Sequence, residues 1–299
     1  MVEWGLALPA GPQKGRIAEW LTDIDRDFAQ FQPYFKSLWM TDHFFWEDAP
    51  TYEAWTVLGY LAARFPNVNL GPMVLGQSYR NPALLAKMAA TLQALSGGHF
   101  IMGIGAGWKE DEYHAYGWDY PRAGIRLEQL EDTLEIFKRM WTEPGKVTYH
   151  GKHYHIENAY CEPKPDPVPT LIVGGGGDKT IGLAARFADW WNVSDAPYDR
   201  YADRVAQVQR ACAAVGRDPA TLRLTWFGRL VVGRTEAEAR ARGKHWTPEN
   251  AFCGTPDQVV HELNRFVALG CDYFMVEIVD SGSPDVVDMI MHDVLPKVH

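Results

Sequence analysis

The chain has 299 residues, 46% of them apolar, which is enough to bury a large core and is a length that an α/β barrel reaches as one domain, residues 1–299. A net charge of −9 offers no basic stripe to neutralise phosphates, which argues against nucleic acid as a partner. Cys161, Cys212, Cys253 and Cys271 lack metal or redox spacing, the start Met1–Pro9 carries a charge and a short strand in place of a signal sequence, and no apolar run could span a bilayer; a cytoplasmic protein with reduced thiols is expected.

Short strand-like runs recur at Glu3–Pro9, Ser37–Thr41, Val68–Leu75, Phe100–Gly105, Thr170–Gly174, Trp190–Val193, Leu222–Val232 and Tyr273–Ile278. Helical periods lie between them, with Leu84, Leu85, Met88, Leu92 and Leu95 as one apolar face and Val259, Leu263, Phe266 and Val267 as another. Asn81-Pro82 reads as an N-cap followed by proline, and Thr235–Glu238 and Thr255–Gln258 read as capping boxes. Eight strands alternating with helices predict an α/β fold, a (β/α)8 TIM barrel, with a doubly wound open sheet as the alternative. Two insertions are expected, after strands four and seven: a hairpin with a Pro-rich connection over Thr142–Val168, and a partly helical segment over Gly233–Gly254.

In such a barrel the site lies where the strands end, and the unusual residues fall there. Strand two leads into Asp42-His43, a carboxylate beside an imidazole that can exchange a proton near neutral pH. Strand three ends at Gly76-Gln77, strand four at Gly105-Ala106-Gly107-Trp108, and strand six leads to Asn192 and Asp195. Strand five runs into Gly174-Gly175-Gly176-Gly177, followed by Asp178-Lys179 and an apparent helix. Backbone N–H groups there can crowd around an anion at a helix N-terminus; the plain alternative is a flexible turn. Neither glycine run matches a dinucleotide fingerprint or a P-loop. Of the twelve tryptophans, Trp46, Trp108, Trp118 and Trp246 fall near predicted loops, where Trp46, Trp108 and Trp246 could wall a substrate pocket. His150, His153 and His155 fit a surface hairpin better than a metal site, because His150 would face away from the other two.

Several segments together resemble a known family: Ser37–Phe44, Ser78–Thr91, Leu95–Gly98, Met102–Trp108 with Glu110 and Glu112, Ala115–Gly117, Gly174–Gly177 with Ala188-Asp189, and Gly254–Asp257. In this order they resemble the bacterial luciferase-like flavin and deazaflavin oxidoreductases, above all the branch that depends on coenzyme F420, an 8-hydroxy-5-deazaflavin. The resemblance implies a barrel with the tricyclic ring at its mouth. It implies Asp42 and His43 beside the reactive edge, and a non-prolyl cis peptide at Gly76-Gln77, the end of strand three. It also implies Gly105–Gly107 alongside the cofactor, and Gly174–Gly177 with Lys179 at its phosphate. Some relatives carry a glutamate where this chain has Trp108, so sugar-phosphate oxidation is not expected; Glu110 and Glu112 are expected on a different face.

The function implied is hydride transfer between coenzyme F420 and a small organic substrate, with His43 as proton donor or acceptor oriented by Asp42. The alternatives are an FMN-dependent monooxygenase using dioxygen, a cofactor-free barrel hydrolase or isomerase, and a non-catalytic flavin-binding protein. A homodimer is implied by the resemblance as well.

Overall fold

The computed structural model describes residues 2–12 and 16–299, so Met1 of the predicted start lies outside the described residues. In chain order the strands are β1 (Glu3–Ala7), β2 (Phe35–Met40), β3 (Asn69–Pro72), β4 (Leu75–Gly76), β5 (Ile101–Gly105), β6 (Lys146–His150), β7 (His155–Tyr160), β8 (Thr170–Gly174), β9 (Trp190–Ser194), β10 (Arg223–Val232), β11 (Phe252–Gly254) and β12 (Cys271–Ile278). The helices are α1 (Ile17–Phe31), α2 (Ala54–Arg64), α3 (Pro82–Leu95), α4 (Glu110–Ala115), α5 (Ala123–Thr142), α6 (Asp178–Phe187), α7 (Tyr198–Ala214), α8 (Glu236–Gly243), α9 (Pro256–Ala268) and α10 (Pro284–Asp288). No helix among the described residues is long and apolar enough to cross a membrane. The residues fall into two compact units, 1–39 with 191–299, and 40–190.

In the first unit the sheet runs β2-β1-β12-β10-β9, with β11 added to β10. The pairs of β1 with β2 and β12, and of β10 with β11 and β12, are parallel. Strand β11 lies inside the second predicted insertion, which therefore supplies a short strand as well as helix α8. Aromatic side chains fill this unit: Trp4 stacks on Phe274 with ring centroids 5.2 Å apart, and Trp226 lies 4.4 Å from Phe252. A buried polar contact runs through the packing, with Trp39 Nε1 donating to Ser37 Oγ at 2.6 Å and Ser37 bonded to the Tyr273 hydroxyl. Helix α9 buries Val259, Leu263 and Phe266 as its period predicts, behind a complete Thr255–Gln258 capping box.

In the second unit β8, β5 and β4 pair in parallel, and Leu70 bridges to Phe100. The predicted single strand over Val68–Leu75 is interrupted: a cis peptide at Met73–Val74 separates β3 from β4. The cis bond is therefore not at Gly76-Gln77, as the resemblance implies, but three residues earlier. Helix α3 begins at Asn81, whose Oδ1 accepts the N–H groups of Ala83 and Leu84. Its packed face is Leu85, Ala86, Ala89, Ala90 and Leu92, while Leu84 and Leu95 are exposed, contrary to the apolar face read from the sequence. At about 100° per residue, Leu84 and Leu95 fall to one side of Leu85 around the helix and Ala86, Ala89 and Ala90 to the other, so the alanines carry the packed stripe.

The insertion after strand four is the expected antiparallel hairpin, β6 with β7. Buried Asp132 on α5 pins its turn by accepting the N–H groups of Lys152, His153 and Tyr154 and the Tyr149 hydroxyl. The histidines there have carboxylate partners, His153 with Glu128 and His150 with Glu157. No group of three or more potential metal ligands occurs among the described residues.

Candidate active site

The second unit brings several strand ends into line. Met73 N–H donates to Met40 O at the end of β2, and Gly76 N–H donates to Asp42 Oδ2 at 3.0 Å. Gly76 pairs with Gly105, and Gly105 with Gly174, each the last residue of its strand. Four chain segments distant in sequence thus finish side by side at the carboxyl edge of one sheet.

The glycines of this edge make room for the chain itself. A β-carbon on Gly105 would lie 2.9 Å from Val74 Cγ2, one on Gly174 2.8 Å from the same atom, and one on Gly103 would overlap Pro72 O. Val74, the residue after the cis bond, occupies the space that these glycines leave. Gly107, at φ +76°, has left-handed backbone, and a β-carbon there would overlap the Tyr113 hydroxyl. These contacts supply a packing reason for glycine at 105, 107 and 174, independent of any ligand.

Asp42 is buried and makes two bonds of 3.0 Å to Arg80, one from Nη1 and one from Nη2, besides accepting from Gly76. Arg80 also pairs with Glu53, which caps α2 by accepting the N–H groups of Trp55 and Thr56. Burial works against the Arg80 charge, but Asp42 and Glu53 outweigh it and raise its pKa. Asp42 is therefore a strand-end brace and does not orient His43, because its carboxylate faces the guanidinium and the Gly76 amide.

The carboxylate in contact with His43 is that of Glu112, a fully buried residue on α4. Its Oε2 lies 3.1 Å from His43 Nδ1, and its Oε1 accepts from Phe44 N–H at 2.6 Å and Phe45 N–H at 3.3 Å. The Tyr79 hydroxyl donates to Oε2 at 3.3 Å. Burial alone would raise the Glu112 carboxyl; its bonds to His43 and to the Phe44 and Phe45 amides hold it below the usual range. This corrects the expectation for Glu112. Glu110 faces solvent, but the two-residue step to Glu112, about half a helical turn, carries that side chain inward beneath the His43 loop. The acidic first turn of α4 gave no sign of which of its three carboxylates would be buried.

Aromatic rings close around this pair. His43 contacts Trp46 and Trp108 edge-on, at centroid distances of 5.3 and 5.7 Å, and the two tryptophans lie 6.1 Å apart. They are 49% and 62% exposed, so they present ring surface to solvent. Lys109 sits behind them, 4.1 Å from the Phe45 ring and paired with Asp111 at 2.5 Å. Trp118 packs instead with Phe44, Tyr79 and Tyr116.

Gly174–Gly177 lead into α6, whose N-cap is Gly177, so no side chain caps its first turn. Gly175 has φ +133°, and Gly177, Asp178 and Lys179 are exposed. Ala106 is partly exposed between Gly105 and Gly107.

Two predicted site residues are engaged elsewhere. The Gln77 side chain is fully buried, its Nε2 donating to Ser78 Oγ and Gln129 Oε1 and its Oε1 accepting from the Tyr154 hydroxyl. Its amide joins α5 and the hairpin, so it has no exposed surface for a ligand. Trp246 belongs to the first unit, where the Arg229 guanidinium lies 4.3 Å over its ring and where it lines a cavity of about 650 Å³ with Trp20, Glu277 and Asp280.

Comparison with known proteins agrees with this architecture. A family model described as luciferase-like monooxygenase matches residues 35–249. An F420-dependent glucose-6-phosphate dehydrogenase of Kineococcus radiotolerans is 31% identical over 221 residues, 71% of this chain and 64% of that relative's own length. A phthiodiolone/phenolphthiodiolone dimycocerosates ketoreductase of Mycobacterium bovis is 28% identical over 80% of this chain and 70% of its own length. Among solved structures, an F420-dependent secondary alcohol dehydrogenase in complex with an F420-acetone adduct superposes with a TM-score of 0.85 at 21% identity, covering 100% of this chain and 99% of its own. That likeness shows the fold, the (β/α)8 barrel class that the strand–helix alternation predicts.

Proposed function

Because the chain belongs to the luciferase-like monooxygenase family, we propose that it is an oxidoreductase transferring a hydride between bound coenzyme F420 and a small organic substrate. The observation that carries this reading is the alignment of Asp42, Gly76, Gly105 and Gly174, which gathers the His43 loop and the tetraglycine turn on one edge of the sheet. The F420-dependent relative supports the choice of coenzyme.

The residues fit such a group. At the start of α6 an anion meets four residues without β-carbons, no side-chain cap to displace, a helix dipole and the exposed Lys179. Gly174, Gly175, Gly176, Gly177 and Lys179 would hold the phosphate, and Gly76, Gly105, Ala106 and Gly107 would border the ring. When bound, the coenzyme supplies the hydride-transferring centre. His43 moves the accompanying proton, and Asp42, locked to Arg80 and the Gly76 amide, keeps the His43 loop at the strand ends. Trp46 and Trp108 offer a flat apolar wall to the substrate.

Fluorescence titration tests the reading: coenzyme F420 is expected to bind at micromolar concentration or below, and FMN more weakly. The family description favours a second reading, an FMN-dependent monooxygenase. Millimolar binding of the deazaflavin, with tight FMN binding and oxygen uptake by a yellow protein, would establish that reading instead. We further propose that the chain works in the cytoplasm as a homodimer; light scattering of the purified chain checks the dimer, and cell fractionation the location.

A further inference from the structure

We propose that Glu112 is the positioning residue of the site: it fixes His43 as the tautomer protonated on Nδ1, leaving Nε2 to exchange a proton with a bound molecule. The role at Nε2 rests on the reading of His43 as the acid–base group; the tautomer itself does not.

The argument is one of donors and acceptors. An ionised carboxylate offers roughly four acceptor sites and no donor. Four groups converge on the completely buried Glu112: the Phe44 and Phe45 amides on Oε1, and His43 Nδ1 and the Tyr79 hydroxyl on Oε2. The two amides can only donate. A proton on Oε2 would have to be given to His43 Nδ1, and the phenol would keep only the poorly accepting acid hydroxyl as its partner, in a place closed to water. The carboxylate is therefore ionised, and Nδ1 must carry the hydrogen. The neighbours of the ring do not compete for it. Trp46 and Trp108 meet His43 edge-on, Asp42 is held by Arg80 and Gly76, and Lys109 is paired with Asp111. A tautomer fixed on one nitrogen leaves the other as an acceptor in neutral imidazole and a donor in imidazolium.

Nitrogen chemical shifts of the ¹⁵N-histidine-labelled full chain, without ligand, read the tautomer directly. At a pH where His43 is neutral, Nδ1 is expected to be protonated and Nε2 bare; the reverse pattern overturns the proposal, whatever the coenzyme does. Glu112→Gln is the matching variant, because its carbonyl can keep the Phe44 and Phe45 amides while its NH₂ group faces Nδ1 and drives the proton to Nε2. Its kcat is expected to fall ~10²–10⁴-fold while its Kd for coenzyme F420 stays within about threefold of the parent. Retention of the Nδ1–H tautomer, or of parental turnover, in Glu112→Gln would also overturn it. Should the unaltered chain fail to bind the coenzyme, the functional reading falls, and the tautomer measurement still decides the role of Glu112.

Discussion

Glu112 Oε2 lies 3.1 Å from Nδ1 of His43, although 69 positions separate the two residues in the chain. The same carboxylate grips the backbone on the far side of the histidine, through Phe44 and Phe45, so ring and loop are held by one buried group. A proton-transfer role for His43 would thus act from a fixed position, not from a mobile side chain.

Replacing His43 with asparagine separates that role from packing. The amide NH₂ group can still donate to Glu112, but nothing remains to titrate. Turnover is expected to drop ~10²–10⁴-fold with coenzyme affinity and thermal midpoint close to the parent. Steady-state kinetics and a melting curve check this, and a loss below about tenfold would remove His43 from acid–base work.

Asp132 sets a pH-dependent contribution to stability. Burial by itself would push its carboxyl up, but the His153 and Tyr154 amides, the Tyr149 hydroxyl and the Lys152 amide outweigh it and hold it below the ordinary range. The unfolded chain binds this proton more readily. The contribution is therefore complete above the unfolded value of about 3.9 and is lost as pH falls through the lower folded value. Asp132→Asn is expected to be ~1–3 kcal/mol less stable than the parent at neutral pH, with the gap closing in acid. Urea unfolding at stepped pH measures it; a gap that widens in acid would contradict the sign.

The glycines invite a paired test. A β-carbon at Gly103 would overlap Pro72 O and lie 3.1 Å from Val74 Cγ1, with backbone on one side unable to yield. Gly103→Ala is expected to destabilise by ~1–3 kcal/mol. Gly59, on the exposed side of α2, has nothing within 4 Å, and Gly59→Ala should stabilise by ~0.5–1 kcal/mol. Denaturant midpoints that move in the same direction for both would refute the packing argument.

Substrates with a phosphate of their own are expected to fail. Arg80 is taken by Asp42 and Glu53, Lys109 by Asp111 and the Phe45 ring, and Trp108 presents an apolar ring. With glucose 6-phosphate, coenzyme reduction should run at least ~10²-fold slower than with an uncharged alcohol that can lie on the tryptophans. Absorbance of the deazaflavin reports the rate directly.

Local signals were legible where a local cause produces them. Asn81-Pro82 and Thr255–Gln258 start helices through bonds made within a few residues, and both caps are present. At Thr235 the cap forms only in part, since the Glu238 carboxylate turns to the Arg234 amide. The leucines from Leu84 to Leu95 point to the wrong face because alanines, weak in apolar signal, form the packed stripe of α3. Gln77 gives no local sign of its structural role, because its partners Gln129 and Tyr154 lie far along the chain.

Backbone period, turn chemistry and missing β-carbons act over a few residues, so the alternation of strands and helices, the hairpin, and the placing of Asp42, His43 and the tetraglycine run at strand ends follow from the order of amino acids alone. Tertiary structure alone decided the partners: Asp42 went to Arg80, and His43 to Glu112. A buried charge takes whichever donors the packed fold brings within about 3 Å, and neither composition nor spacing records that distance.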